Sequence, residues 1–424
     1  MLAVLAAGTS YFYFGLLLPQ VRAVRTARHL YGPYSYGGDF YPVWLSSREL
    51  LASRHTPYNQ ETTRQIQVAV FGRALDPHNP NDPPPDYRAF SYPLYVDLLA
   101  APCALLSFPA VQTVGSFLGP LLAVGSIVLW FYAVGIAARG GLLAIVVVLT
   151  LISYPVLEAL YALQPALAVS FLLAAGMAAL RSGKFAFAGV LLALAAIKPQ
   201  LIVLLALALL LWSLRDWKSR KGFAAGFAGT LLVLVVSSYA VLPGWPADWW
   251  RALVEYRQYT EPPLAQLVLG KFAGGFAALL LLALAARVCW LARRETAQSS
   301  GFWLAVTIVL AVAVVLVPTG GAVYDHLVLL PGILWLFCPG ADHGTHALGP
   351  IRWLGWLVLS WQWVAAAGVA VAALLWANLR HNQFAILLPL RTAAALPFVI
   401  LAMLFLAALN PGANRRTQPS PDAG

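Results

Sequence analysis

The chain has 424 residues, of which 61% are hydrophobic and only 10% charged, whereas soluble globular proteins carry about a quarter charged residues. That composition excludes a soluble domain and fits a chain that crosses a bilayer many times, since each span needs roughly 20 apolar residues. A net charge of +11, from 27 Lys+Arg against 16 Asp+Glu, does not point to nucleic acid here, because basic residues collect in the cytoplasmic loops of membrane proteins.

Apolar segments fall near 2–18, 93–106, 111–137, 142–157, 160–180, 185–214, 222–243, 264–290, 301–318, 324–338, 350–377 and 384–409. They predict an all-α polytopic membrane protein of about 11–13 transmembrane helices. A single membrane domain is expected over 1–410, followed by a disordered cytoplasmic tail at 411–424. The first segment reads as a retained helix. No basic residue precedes it and no small-residue cleavage site follows. Cys103, Cys289 and Cys338 show no metal-ligand spacing and read as buried free thiols.

The longest polar stretch, 19–92, separates the first two segments. From Pro42, Val43, Trp44, Ser47, Leu50 and Leu51 form one helical face, with Ser46, Arg48, Glu49 and Ser53 opposite. This predicts a helix lying on the membrane surface. "DPHNPNDPPPDY" (76–87) reads as a proline-rich surface loop. Within 93–106 the segment is short, and whether it crosses fully stays open.

Arg181/Lys184, "RDWKSRK" (215–221), Arg293/Arg294 and Arg415/Arg416 agree with one orientation if all are cytoplasmic. Residues 185–214 then begin and end on the same side, and Pro199 interrupts them. A hairpin of two short helices is expected, with Lys198-Pro199-Gln200 at its extracytoplasmic tip. Irregular backbone at membrane depth is tolerated inside protein or along a wet cavity, so the tip should line one. The stretch "PADWWRALVEYRQYT" (246–260) reads as an interfacial helix anchored by Trp249 and Trp250.

Ionisable residues in such a chain are expensive, so each asks for a reason. Asp39, in "GGDFYP", is either a catalytic carboxylate or a residue that stabilises the start of the Pro42 helix. Lys198 is either a snorkelling side chain or the partner of a phosphate or a carboxylate. Asp325 and His326 stand at the start of a span. His326 suits phosphate binding or proton transfer, and Asp325 suits the helix dipole. Glu158 and Gln164 are six apart and share no helix face, though a bend at Gln164-Pro165 would bring them together. Tyr92 reads as a site residue or a belt anchor. No phosphate-binding glycine loop, zinc pattern or Ser-His-Asp arrangement occurs.

In order and spacing, "GGDFYPVWLSSRELLASRHTPYN" (37–59), "FSYPLYVDLLAAPCALL" (90–106), the run from "LYALQPALAV" to "IKPQLIVLL" (160–205) and "YDHLVLLP" (324–331) resemble glycosyltransferase family 87, of the GT-C type. The resemblance implies a GT-C-like helical bundle with amphipathic juxtamembrane helices in its first extracytoplasmic loop. It implies an enzyme in the plasma (inner) membrane with its active site outside. Such an enzyme moves a sugar from a polyprenyl-phosphate donor to a lipid or glycan acceptor; a hexose is expected, with mannose or the pentose arabinose among the possibilities by family habit. By position, Asp39 would be the general base of an inverting transfer. Lys198, Gln200, His326, Asp325, Arg48, Tyr92, Gln164 and Glu158 would contact donor phosphate or substrate. Asp39 is followed by Phe40 rather than a second acid, so no bridged metal and no other cofactor is expected. "LQPA" stands where family members often show Gly-Gln-x-Asn, which leaves the role of Gln164 open. A transporter or flippase of a lipid-linked sugar would use the same cavity without needing a fixed base at Asp39. A structural membrane subunit would have no cavity.

Overall fold

A computed structural model of the protein describes residues 1–53, 55–76, 79, 82, 87–137, 139–316, 322–338 and 349–409. Helix makes up 81% and no strand occurs among the described residues, so the all-α class holds. The helices run α1 (Leu2–Ala27), α2 (Tyr41–Ser53), α3 (Gln60–Phe71), α4 (Tyr95–Ala104), α5 (Phe108–Val134), α6 (Gly140–Leu151), α7 (Tyr154–Ala162), α8 (Ala166–Arg181), α9 (Phe185–Ile197) and α10 (Pro199–Arg215). They continue as α11 (Trp217–Val241), α12 (Trp245–Tyr256), α13 (Leu264–Leu269), α14 (Lys271–Ala292), α15 (Ser300–Leu316), α16 (Val323–Phe337), α17 (Gly349–Leu375) and α18 (Gln383–Leu409). Among the described residues, α1, α5, α11, α14, α17 and α18 are each long and apolar enough to cross a bilayer, and α6 with α7, bent by 55°, makes a seventh candidate when the pair is taken together. Together with the shorter apolar helices α4, α8, α9, α10, α15 and α16, they occupy every apolar segment read from the sequence. The protein is a multi-pass membrane protein. The tail at 411–424 and most of the proline-rich loop lie outside the described residues.

Helix length settles how the first loop connects to the bundle. Ten residues of α4 rise only ~15 Å, half the hydrocarbon thickness of ~30 Å. Asp97 in its first turn is buried and accepts a hydrogen bond from Ser47 at 3.3 Å. α4 therefore does not cross. α5 begins beside the first loop, where Gln112 donates to the Tyr36 carbonyl at 2.6 Å. It ends at Gly135, which sits against the Arg181 guanidinium. Gly135 has φ +83, so it caps α5 in a left-handed conformation that only glycine adopts freely.

α9 and α10 form the expected hairpin. The ring of Phe185, at its start, lies 5.8 Å from the ring of Trp212, near its end. Trp212 donates to the Glu295 carbonyl at 2.8 Å, and Arg220 donates to the carbonyls of Trp212, Arg293 and Glu295. Gln298 reaches the Arg181 carbonyl at 2.9 Å. The basic loops around 181, 215–221 and 293 thus gather at one end of the bundle, and Lys198 turns at the other.

α2 differs from expectation. Residues 41–47 are covered on every side, and Ser46, placed by periodicity on the solvent face, is fully buried. Ser46 and Ser47 return their hydroxyls to the carbonyls of Pro42 and Val43, which lets polar residues sit among Tyr41, Trp44 and Phe108. The helix packs into the protein rather than lying on a surface. α3 is set by local signals: Asn59 accepts from the Thr62 amide at 2.7 Å at its start, and Gly72 closes it at φ +81.

α9 and α11 approach so closely that their contact requires small residues. A Cβ on Gly226 would lie 2.1 Å from the Ala186 carbonyl oxygen, and one on Gly189 would lie 2.2 Å from that of Phe223. Small residues let helices in lipid pack backbone to backbone, where dispersion rather than hydrophobic burial holds them. Gly226→Ala is expected to lower stability by about 1–3 kcal/mol through overpacking. Gly229, with nothing within 4 Å, should accept Ala without loss. Thermal unfolding of the purified variants in detergent measures the difference.

Candidate functional site

The site begins at "GGDF". Gly37 has φ +73 and a Cβ there would meet Leu163 at 2.7 Å, so its glycine is needed both for conformation and for space. The Gly37 amide donates to the Tyr161 carbonyl at 3.0 Å and the Asp39 amide to that of Ala162 at 3.2 Å. The turn is thereby laced to the end of α7. There Leu163 adopts φ +51, a left-handed state that costs a non-glycine residue on the order of 1 kcal/mol. Pro165 follows, so the helix cannot continue. The break aims Gln164 at Asp39, whose Oδ2 accepts from Gln164 Nε2. Asp39 Oδ1 accepts from Arg88 Nη1. The pair is mostly covered, with side-chain exposures of 13% for Asp39 and 20% for Arg88.

A second pair lies at the hairpin tip. Lys198 Nζ donates to Asp325 Oδ1 at 2.8 Å, both side chains being only 4% exposed. The ammonium also lies 4.3 Å from the centroid of the Tyr324 ring, within cation–π range. Lys198 is thus not snorkelling. Its partner is the carboxylate of Asp325, which stands in the first turn of the 3₁₀ segment Val323–Leu329 that opens α16.

Both pairs face one cavity of about 930 Å³, at the upper end of ligand sites. Its wall includes Asp39, Arg88, Tyr92, Glu158, Gln164, Lys198, Gln200, Tyr324 and Asp325, with Arg25 and Arg257 also exposed to it. Tyr13, Phe14 and Leu17 enter from a π-helical turn in α1, a distortion frequent at functional sites. Burial pushes the Tyr92 phenol above the usual tyrosine range, with Tyr256 and the Asp325 carboxylate adding to the effect, so Tyr92 remains a neutral hydroxyl. Glu158 Oε2, Gln164 Oε1 and Asp325 Oδ2 are buried without a hydrogen-bond partner among the described residues. Buried polar atoms are nearly always paired, so three orphans on one wall point to a polar ligand.

The bend at Gln164-Pro165 brings Glu158 and Gln164 to the same cavity, as the sequence allows. Tyr92 and Gln200 also line it. Two expected residues do not. His326 is buried but stands outside the wall. Successive residues of a 3₁₀ turn point ~120° apart, so with Asp325 facing the cavity its neighbour faces away. Arg48 is exposed and lies over the Trp44 ring at 5.4 Å; it is not part of the wall. The arginine that the first loop contributes is Arg88, which periodicity does not reveal. Its signal is an arginine set among aromatics in "YRAFSY" (87–92), two residues before the start of the "FSYPLY" stretch. Trp249 is also more than an anchor: it lines the cavity and donates to the Ser91 carbonyl at 3.0 Å.

The protein is a polytopic helical membrane protein with a large mixed-charge cavity at the end opposite its basic loops, a site suited to a polar ligand. The sequence profile of glycosyltransferase family 87 matches residues 90–319, more than half of the chain, and the chain belongs to that family. It is a membrane glycosyltransferase. The matched range holds Tyr92, Glu158, Gln164, Lys198 and Gln200, whereas Asp39, Arg88 and Asp325 lie outside it. Comparisons with curated proteins and with solved structures return no match.

Removing one partner of a buried ion pair leaves the other charge uncompensated, at about 3–5 kcal/mol. Lys198→Met and Asp325→Leu should each lower the unfolding temperature sharply. Combined, they should recover most of it. Unfolding curves of the three variants check this, and an additive double variant would show that the pair is not coupled.

Proposed function

We propose that the enzyme transfers a hexose-type sugar from a polyprenyl-phosphate donor to the hydroxyl of a lipid or glycan acceptor, with inversion and with Asp39 as general base. The observation that carries this is the placement of Asp39. It is a carboxylate fixed at both oxygens, by Arg88 and Gln164, on the wall of a cavity that also holds cations. A sugar phosphate ester needs little activation. The acceptor hydroxyl must lose a proton, and the departing phosphate must be met by positive charge.

In this reading the acceptor hydroxyl approaches Asp39, gives up its proton as its oxygen bonds the anomeric carbon, and the carbon–oxygen bond to phosphate breaks with its electron pair going to the phosphate. Arg88 and Arg25 face the cavity as cations for that charge. Lys198, held by Asp325, contributes to the field from the tip and orients Tyr324. Gln164 positions the base. Glu158, with one free oxygen, accepts from sugar hydroxyls, and Gln200 and Tyr92 complete the polar wall. Asp39 is the single carboxylate of "GGDF" and acts in this reading as a base rather than as one of two bridging metal ligands.

The gathering of basic loops at the far end supports an extracytoplasmic site, in the plasma (inner) membrane by family resemblance. A flippase would use the same cavity but has no need of a carboxylate held in one orientation, as Arg88 and Gln164 hold Asp39.

Asp39→Asn keeps the shape and the Gln164 contact but cannot take a proton. Transfer from a defined polyprenyl-phosphate hexose is expected to fall by at least ~100-fold with the variant still folded and monodisperse. Wild-type transfer by that variant would overturn the assignment.

A further inference from the structure

We infer that Arg88 changes partner during the reaction. It holds Asp39 while the cavity is empty of donor and passes to the donor phosphate when the donor binds. The inference rests on the lipid-phosphate reading above and adds an order of events to it.

The cavity presents its base and two of its cations already paired. An anionic donor reaches either of these two cations only by exchange, and the two pairs are not equally available. Lys198 and Asp325 are each 4% exposed, and the ammonium is further held over Tyr324. Arg88 and Asp39 are 20% and 13% exposed, so the ligand reaches Arg88 more readily.

The surroundings of Arg88 favour movement of its side chain alone. Its backbone is left-handed, at φ +54, and is clamped on both sides. The Tyr87 carbonyl accepts from Gln67 at 2.8 Å, and the Tyr87 ring stacks on Tyr259 at 4.1 Å. Phe90 is 1% exposed against Tyr58, whose hydroxyl donates to the Tyr92 carbonyl at 2.8 Å. A fixed backbone carrying a long side chain confines motion to the guanidinium. The charged and titratable groups around that guanidinium include Asp39, Glu158, Arg25, Tyr92, Tyr256 and Tyr324. Arg25 is a like charge that also lines the cavity. A phosphate seated between the two arginines relieves their repulsion, and the guanidinium fork matches phosphate geometry in two hydrogen bonds.

The exchange makes chemical sense of the pairing. Beside Arg88 the carboxylate is a poorer base, because a neighbouring cation favours its charged form. When Arg88 leaves, Asp39 becomes a better base just as the donor is seated. The proton then passes from acceptor to Asp39, the glycosidic bond forms, and the bond to phosphate breaks. The phosphate ends with one more negative charge beside Arg88, and Asp39 ends neutral, so neither is left as an unpaired charge.

The test is equilibrium binding of a short-chain polyprenyl phosphate, the product, to the full chain in detergent, where no turnover complicates the measurement. If Asp39 and phosphate compete for Arg88, Asp39→Asn should bind about tenfold tighter than wild type, a coupling of ordinary size between linked equilibria. Asp39→Ala serves as a second variant with the same expectation, and thermal unfolding confirms that each is folded. Arg88→Gln should bind more weakly, and in the Arg88→Gln background Asp39→Asn should no longer tighten binding. Wild-type binding with no tightening in either Asp39 variant overturns the exchange and leaves the donor reading intact. No binding by the wild type overturns the donor reading, and the exchange with it.

Discussion

Charge inside an apolar helix bundle must be paired, and the arrangement of this protein follows from how its pairs are made. Each cavity carboxylate with an ion-pair partner takes its cation from a distant part of the chain: Asp39 from Arg88, and Asp325 from Lys198. The Lys198–Asp325 pair ties the late 3₁₀ turn to the hairpin tip, and Asp39, held by Arg88, ties the first loop to the break after α7 through Gln164 and the Ala162 carbonyl. Without them the two loops would have little reason to meet at one end of the bundle. With them, the base, the cations and the aromatic wall share a single cavity.

The backbone pays attention to this end of the molecule as well. Left-handed residues at Gly37, Arg88 and Leu163, the π turn in α1 and the break at Pro165 all fall around the cavity. The far end is conventional: glycine-capped α5, a close glycine contact between α9 and α11, and basic loops tied to carbonyl groups. Regular packing holds the scaffold, and irregular backbone places the chemistry. That division is expected of a membrane protein, in which non-helical backbone survives at depth only where it lines a cavity.

Much of this was legible in the sequence. Hydropathy located every apolar segment, because a lipid-facing helix leaves a long and uniform signature. Charge asymmetry gave the hairpin and the position of Lys198, since basic loops must return to one side. The family resemblance brought Asp39 forward when periodicity alone left it open between base and helix start. Other features were not legible. Arg88 follows a proline-rich loop with no periodic pattern, and its partner lies 49 residues away. The burial of Ser46 depends on α4 and Phe108 covering a face that periodicity assigned to solvent. His326 and Asp325 are neighbours in sequence, and only the 3₁₀ geometry decides which one faces the cavity. Local patterns report periodicity, whereas tertiary pairing decides which polar residue is used.

The central claim is that lipid-linked phosphate and acceptor hydroxyl meet in this cavity at Asp39. The most direct measurement is an experimental structure of the protein with a non-transferable phosphonate analogue of a polyprenyl-phosphate hexose. The account predicts the phosphonate beside Arg88 and Arg25, and the anomeric carbon close enough to Asp39 that an acceptor oxygen fits between them at about 3–3.5 Å from the carbon. An analogue bound outside the cavity, or with its sugar turned away from Asp39, would contradict it.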